Sequence, residues 1–245
     1  MRTAWVVALC AMVLVASVGR ASAQNLFEVQ VFPDEILKRG ETEVEFHSVV
    51  MPSHVHESFE LSHGWNNRLE TGVFLETSPS IDDEHAALTG FHFRPKYRFA
   101  EWQRFPFHVS VSAEYAFAKH PGDVDFRQAL AVTPILERHV GSFELSLNPS
   151  LEFALKGPDA GGSPVFEPSA KVASRVASTV WLGVEYYAET GPIKHFDPFA
   201  EQHHLVFPTI DVHSPSGWDV NVGVGRGVTG ASEHWVLKVI VGRSL

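Results

Sequence analysis

The sequence predicts an all-β chain: an antiparallel, up-and-down transmembrane β-barrel of about twelve strands, following a cleaved signal peptide. Three observations carry this reading. The first is alternation. Within residues 88–117, Phe91, Phe93, Tyr97 and Phe99 alternate with His92, Arg94, Lys96 and Arg98. After a break at residues 100–104, Phe107, Val109, Val111, Ala113, Tyr115 and Phe117 alternate with His108, Ser110, Ser112 and Glu114. Successive strand side chains point to opposite faces, so each half has one oily face and one charged or polar face. The second is length. These segments exceed the ~5–6 residues of an ordinary globular strand and match the ~9–11 that a tilted strand needs to cross a bilayer. The third is rhythm. The second, fourth, sixth, eighth and tenth connections read as short, and most others as longer and rich in Gly, Pro and Asp. Short periplasmic turns and long external loops have that pattern.

The leader occupies residues 1–23. Arg2 gives a positive start, Trp5 to Val18 a short apolar core, and Ala21-Ser22-Ala23 a small-residue cleavage site, which together make a secretory signal rather than a membrane anchor. Cleavage after Ala23 starts the mature chain at Gln24 and removes Cys10, the single cysteine. No disulfide, thiol nucleophile or thiolate metal site is then expected, although the compartment would permit disulfides. Arg2 and Arg20 also leave with the leader. Seventeen basic residues then face 29 acidic ones, a net charge of −12, which argues against nucleic acid as a partner. No later segment approaches the ~18 apolar residues of a membrane-spanning helix.

Residues 24–41 form a lead-in. Pro33-Asp34 followed by Glu35-Ile36-Leu37-Lys38 suits one helical turn ended by Gly40. The segment reads either as a periplasmic tail under the barrel or as a short plug reaching into it. The barrel itself is expected over residues 42–245. Its first strand carries Val44 and Phe46 outward and Glu43, Glu45 and His47 inward, and Pro52-Ser53-His54 turns it. The second has Phe59 and Leu61 outward, with His56, Ser58 and Glu60 inward. A tight turn at Asn66-Asn67 follows, because Asn tolerates left-handed conformations. The third places Leu69, Val73 and Leu75 outward and Arg68, Glu70 and Glu76 inward, before a loop with Pro79, Asp82, Asp83 and Glu84.

The fourth and fifth strands are the alternating pair above. After Pro121-Gly122-Asp123, Phe126, Leu130, Val132 and Leu136 line one face of the sixth, with a turn at residues 138–141. In the seventh, Phe143, Leu145, Leu147, Leu151 and Phe153 oppose Glu144, Ser146, Asn148, Ser150 and Glu152. A Gly- and Pro-rich loop spans residues 157–164. The eighth and ninth set Val172, Val176, Val180, Leu182, Val184 and Tyr186 against Lys171, Arg175, Glu185 and Glu189. A long loop covers residues 191–202, and strands near 205–213, 218–226 and 235–245 complete the set. A soluble β-sandwich or solenoid is the alternative, but it would hide its apolar face from water, and motifs closing a second layer are few.

About eight strands enclose an interior that side chains fill, and about sixteen leave an aqueous channel. Twelve lies between. The inward residues are large and charged: Arg94, Lys96, Arg98, His108, Glu114, Arg127, Glu144, Glu152, Lys171, Arg175 and Glu185. In a narrow lumen they should pair across strands, since an isolated buried charge is far costlier than a paired one. They either fill the lumen or line a selective conduit. Pro95, Pro134, Pro149 and Pro168 interrupt the hydrogen-bond ladders and suit a lateral gap for apolar cargo. The 14 histidines show no local ligand spacing, so neither metal nor cofactor is expected. His108-Val109-Ser110 and His56-Glu57-Ser58 have the spacing of a strand-borne Ser–His pair. Both fall on the lumen face, away from bilayer lipid, so catalysis is not expected.

The run from Glu60 to Glu76, with Gly64-Trp65-Asn66-Asn67-Arg68 at its centre, resembles a recurring hairpin of bacterial outer-membrane barrels. The stretch Trp218-Asp219-Val220-Asn221-Val222-Gly223-Val224-Gly225-Arg226-Gly227, with Trp235 to Gly242, is similar to their last hairpin. The group includes MetA-type phenol-degradation-pathway barrels and other hydrophobic-compound transporters. The resemblance implies an outer-membrane location, with outer-membrane lipids and the barrel-assembly machinery as partners and small, hydrophobic molecules as cargo. It supplies no catalytic residue. A channel or transporter is therefore the leading expectation, beside a non-conducting structural or surface-interaction barrel and a lipid-modifying enzyme.

Overall fold

The computed structural model describes residues 29–52, 55–79, 86–101, 105–119 and 126–245. The leader, Ser53-His54 of the first turn, the loop around Asp82–Glu84 and Pro121-Gly122-Asp123 lie outside them. Twelve strands follow in order: β1 (Thr42–Val50), β2 (Val55–Asn66), β3 (Leu69–Pro79), β4 (Ala86–Arg98), β5 (His108–Ala118) and β6 (Arg127–Val140). Then come β7 (Phe143–Lys156), β8 (Val165–Arg175), β9 (Val180–Glu189), β10 (His203–His213), β11 (Trp218–Gly227) and β12 (Trp235–Ser244). Each pairs antiparallel with the next. β1 closes on β12 in a continuous register from Glu43↔Ser244 to Val50↔Leu237, so the sheet is a barrel without free edges.

Parity decides the two surfaces. Phe59, Leu61, Phe91, Phe93, Phe143, Leu147, Leu182 and Val184 are exposed on the outside, whereas His56, Glu60, His92, Arg94, Ser146, Asn148 and Glu185 are buried within. A closed sheet with an apolar outer belt and a polar interior is the architecture of a transmembrane barrel, in which every backbone group is satisfied without water. The inner face is not uniformly polar. Phe74, Ile135, Phe207 and Val236 point inward and are buried. Phe207 fits only because Gly225 lacks a side chain: a Cβ there would lie 2.4 Å from the ring.

Several local expectations are corrected. The lead-in forms no helical turn at residues 33–38 and is extended, because its backbone donors bond to barrel side chains instead of to each other. The β2–β3 turn is Asn67-Arg68, so Arg68 belongs to the turn rather than to the inner face. It also uses no left-handed asparagine: among the described residues only glycines have positive φ. The β6–β7 turn is Gly141-Ser142, tighter than expected because left-handed Gly141 (φ 63°) reverses the chain in two residues. Finally, the fourth connection, between Arg98 and His108, is long, an exception to the short-turn rhythm.

Candidate functional site in the barrel interior

Residues 29–41 enter at the end of the barrel that carries the β2–β3 turn. Gly40 N–H donates to Gly64 O at 2.7 Å and Gly64 N–H to Glu41 O at 3.0 Å. The close approach requires glycine, since a Cβ on Gly64 would sit 2.2 Å from Lys38 O. The chain then runs inward, held at every step by side chains of different strands. Leu37 N–H donates to Glu70 of β3 at 2.7 Å, and Lys96 of β4 donates to Glu35 O. Asp34 is 1% exposed; its N–H donates to Glu137 of β6 at 2.9 Å. Its carboxylate meets Arg98 at 2.9 Å and accepts the Ser110 hydroxyl.

Further in, Phe32 and Asn148 of β7 exchange two hydrogen bonds, N–H to Oδ1 at 2.7 Å and Nδ2 to O at 3.1 Å. Val29 O accepts Lys238 Nζ of β12 at 3.1 Å. The Val29 side chain packs with Val49, Met51, Leu205, Phe207 and Val236, a small apolar core inside the lumen. Extended backbone buried this way is tolerable only because its polar groups are matched.

Two charge networks flank this segment. On one side Arg94 makes a bidentate contact with Glu60, at 2.8 and 3.0 Å, and lies 3.9 Å from Glu114. Glu114 also meets His92 at 2.8 Å. The guanidinium is sandwiched between the Phe32 and Phe74 rings, 4.4 Å from each centroid, so the plug segment and the wall share one cation. Here Glu45, His47 and Glu60 bring ligand-type atoms within 4.8 Å of one another, but Arg94 already compensates Glu60. On the other side Lys238 binds Glu185 and the Tyr187 hydroxyl, the latter at 3.0 Å. Lys171 reaches Asp211 at 3.0 Å and Glu185 at 3.9 Å, with Asn221 bridging Asp211 and Glu185.

The charged positions singled out from alternation thus divide. Arg94 and Glu114 join the first network, Lys171 and Glu185 the second, and Lys96 and Arg98 hold the N-terminal segment. Glu152 lies within electrostatic reach of Glu114, Glu189 and Arg127. Glu144 is half-buried, within electrostatic reach of Lys171 and Asp211 of the second network, and Arg127 lies beside Gly157 at the long-loop end. His108 faces Glu101 at 3.5 Å at the opposite mouth. Arg175 ends β8 exposed, its guanidinium 5.8 Å from the Trp181 ring. Of the Ser–His spacings, Ser110 is engaged by Asp34 and His56 pairs with Glu76. Sequence reasoning passed over Glu137, Asp211 and Lys238, and it named Asp34 and Asn148 without the partners that give them their roles. Lys238 had a signal, a lone cation within the apolar run Trp235–Ile240; the others had none beyond parity.

The class these features define is the closed twelve-stranded outer-membrane barrel, and known structures share it. An outer membrane channel of the COG4313 group from Pseudomonas putida F1 is 12% identical, with a TM-score of 0.64, covering 89% of this chain and 100% of that one. A KdgM porin solved in complex with disordered oligogalacturonate is 11% identical, TM-score 0.58, over 83% and 99%. The NanC porin is 10% identical, TM-score 0.57, over 83% and 98%. At such identities the likeness is one of fold. No family model and no curated protein matches the chain.

Proposed function

We propose that this chain is a narrow outer-membrane channel for small molecules, closed by its own residues 29–38. The observation that carries the reading is the anchored segment. Residues 29–38 run through a charged lumen and are held by separate polar contacts from β3 to β7 and β12. Contacts that can break one at a time, without unpacking an apolar core, suit a gate. The fold shared with porins and a channel supports the same class.

The MetA-type resemblance and hydrophobic cargo are part of this proposal. They draw support from breaks in the ladders: pairing lapses at Arg94–Pro95 of β4, around Pro134 and Pro149 between β6 and β7, and at Pro208 of β10. A wall weakened at its prolines offers an apolar solute a sideways exit into lipid. A non-conducting structural barrel is the second reading, favoured by how fully the two networks and the segment occupy the lumen. No catalytic role is proposed.

Planar-bilayer recording of the mature chain, with and without residues 24–38, decides between them. The full chain is expected to show small or rare openings and the deletion large, frequent ones. A deletion that keeps its folded, heat-modifiable band on gels yet never conducts establishes the structural reading.

A further inference from the structure

Between the N-terminal segment and the wall of β5–β9 lies a cavity of about 100 Å³, lined by Glu114, Glu167 and Glu189 and by Ser112, with Val29, Phe32 and Leu205 opposite. We propose that this chamber binds a small organic ammonium ion bearing a short alkyl body. The inference deepens the channel reading by naming its cargo class, but binding can be measured without conduction.

Three features converge. First, the described residues that line the chamber include Glu114, Glu167 and Glu189 and no Lys, Arg or His, the Glu114 charge being shared with Arg94 and His92 behind it. Positive solutes are favoured there, and anions and neutral polyols are not. Second, two acceptors await a donor. Ser112 is 2% exposed and its Oγ has no hydrogen-bond partner; Glu167 Oε1 is likewise shut from solvent without one. Buried polar atoms in folded proteins are nearly always matched, so such a pair beside a cavity marks a place for a ligand. An ammonium group supplies three N–H donors that can diverge to separate acceptors.

A bare metal ion would need its ligand oxygens drawn together. The cluster of Glu45, His47 and Glu60 meets that condition among the described residues, and the chamber carboxylates are not part of it. Third, the lining also carries apolar groups, Val29 and Phe32 of the segment and Leu205 of β10, beside the Gln30 amide, and the space is small. An apolar cavity of about 150 Å³ takes benzene, so this one suits a propyl-sized body rather than an aromatic amine.

Isothermal titration of the full chain in detergent tests the proposal with n-propylammonium chloride, n-propanol and magnesium chloride as probes. One saturable propylammonium site is expected, with propanol at least about tenfold weaker, since the charge-assisted contacts are lost. Glu167→Gln should weaken propylammonium at least about tenfold and Ser112→Ala severalfold, because each removes an acceptor. Ser112→Ala serves if Glu167→Gln lacks the folded, heat-modifiable band. Equal affinity for propanol, indifference to both substitutions, a magnesium site in place of the amine site, or no saturable binding would each overturn it. Binding by a barrel that stays silent in bilayers would remove the channel reading and leave this one standing. Conduction without ammonium binding would do the reverse.

Discussion

Arg94 shows what a single residue contributes here. Alternation with Phe93 and Pro95 turns it inward, where a charge without a partner would be intolerable. Its partner is Glu60, 34 residues earlier on β2, and its faces are covered by Phe74 and by Phe32 of the N-terminal segment. Arg94→Ala would leave Glu60 buried beside the Ser62 hydroxyl, His47 and a second carboxylate, Glu45. Breaking a buried pair on one side costs about 3–5 kcal/mol, so the urea midpoint in lipid vesicles should fall accordingly. Arg94→Lys should recover part of the loss, because lysine keeps the charge but not the second nitrogen that reaches Glu114 or the planar stacking on the Phe32 and Phe74 rings. Parity in the sequence marks a residue as inner. Which inner residue it meets depends on strand stagger and on a segment far away in the chain, and neither leaves a local pattern.

At the scale of elements the N-terminal segment behaves unlike the strands. The strands pair through backbone ladders, each with its neighbours in sequence and β1 with β12. Residues 29–38 satisfy backbone groups through carboxylate, amide and amine side chains of β3, β4, β6, β7 and β12. That is why Pro33–Lys38 stays extended although its composition suits a helical turn. Asp34→Ala removes the Arg98 and Ser110 contacts. It should raise open probability in bilayers severalfold while leaving the barrel's resistance to urea nearly unchanged. Gly64→Val acts from the wall: a side chain cannot share space with Leu37 O and Lys38 O. Protease cleavage within residues 29–41 should become faster than in the parent chain, with β1–β12 still protected. The strands were legible because period-two alternation repeats over ten residues or more. The long β4–β5 connection was not, since nothing in its residues separates a short turn from a long one.

For the whole molecule the controlling condition is that odd and even positions meet different surroundings. Val184, midway along β9 and facing out, tests the lipid side. Val184→Arg should destabilise the barrel by about 2–4 kcal/mol if it lies near the bilayer midplane, read as a lower unfolding midpoint in vesicles. The same substitution should matter much less in a detergent-free, water-soluble fold. Alternation, strand length and punctuating glycines and prolines are local properties. The sequence by itself therefore determined the all-β barrel architecture, where most strands lie, and the face taken by most strand side chains, Arg68 and the end of β6 excepted. Those patterns stay silent about contacts between residues a hundred or more positions apart. Only the tertiary structure decided that the first described residues run inside the barrel, that phenylalanines as well as charges fill it, and that a small acidic chamber remains. Those outcomes depend on how twelve staggered strands bring distant side chains to one point, and no stretch of chain encodes that alone.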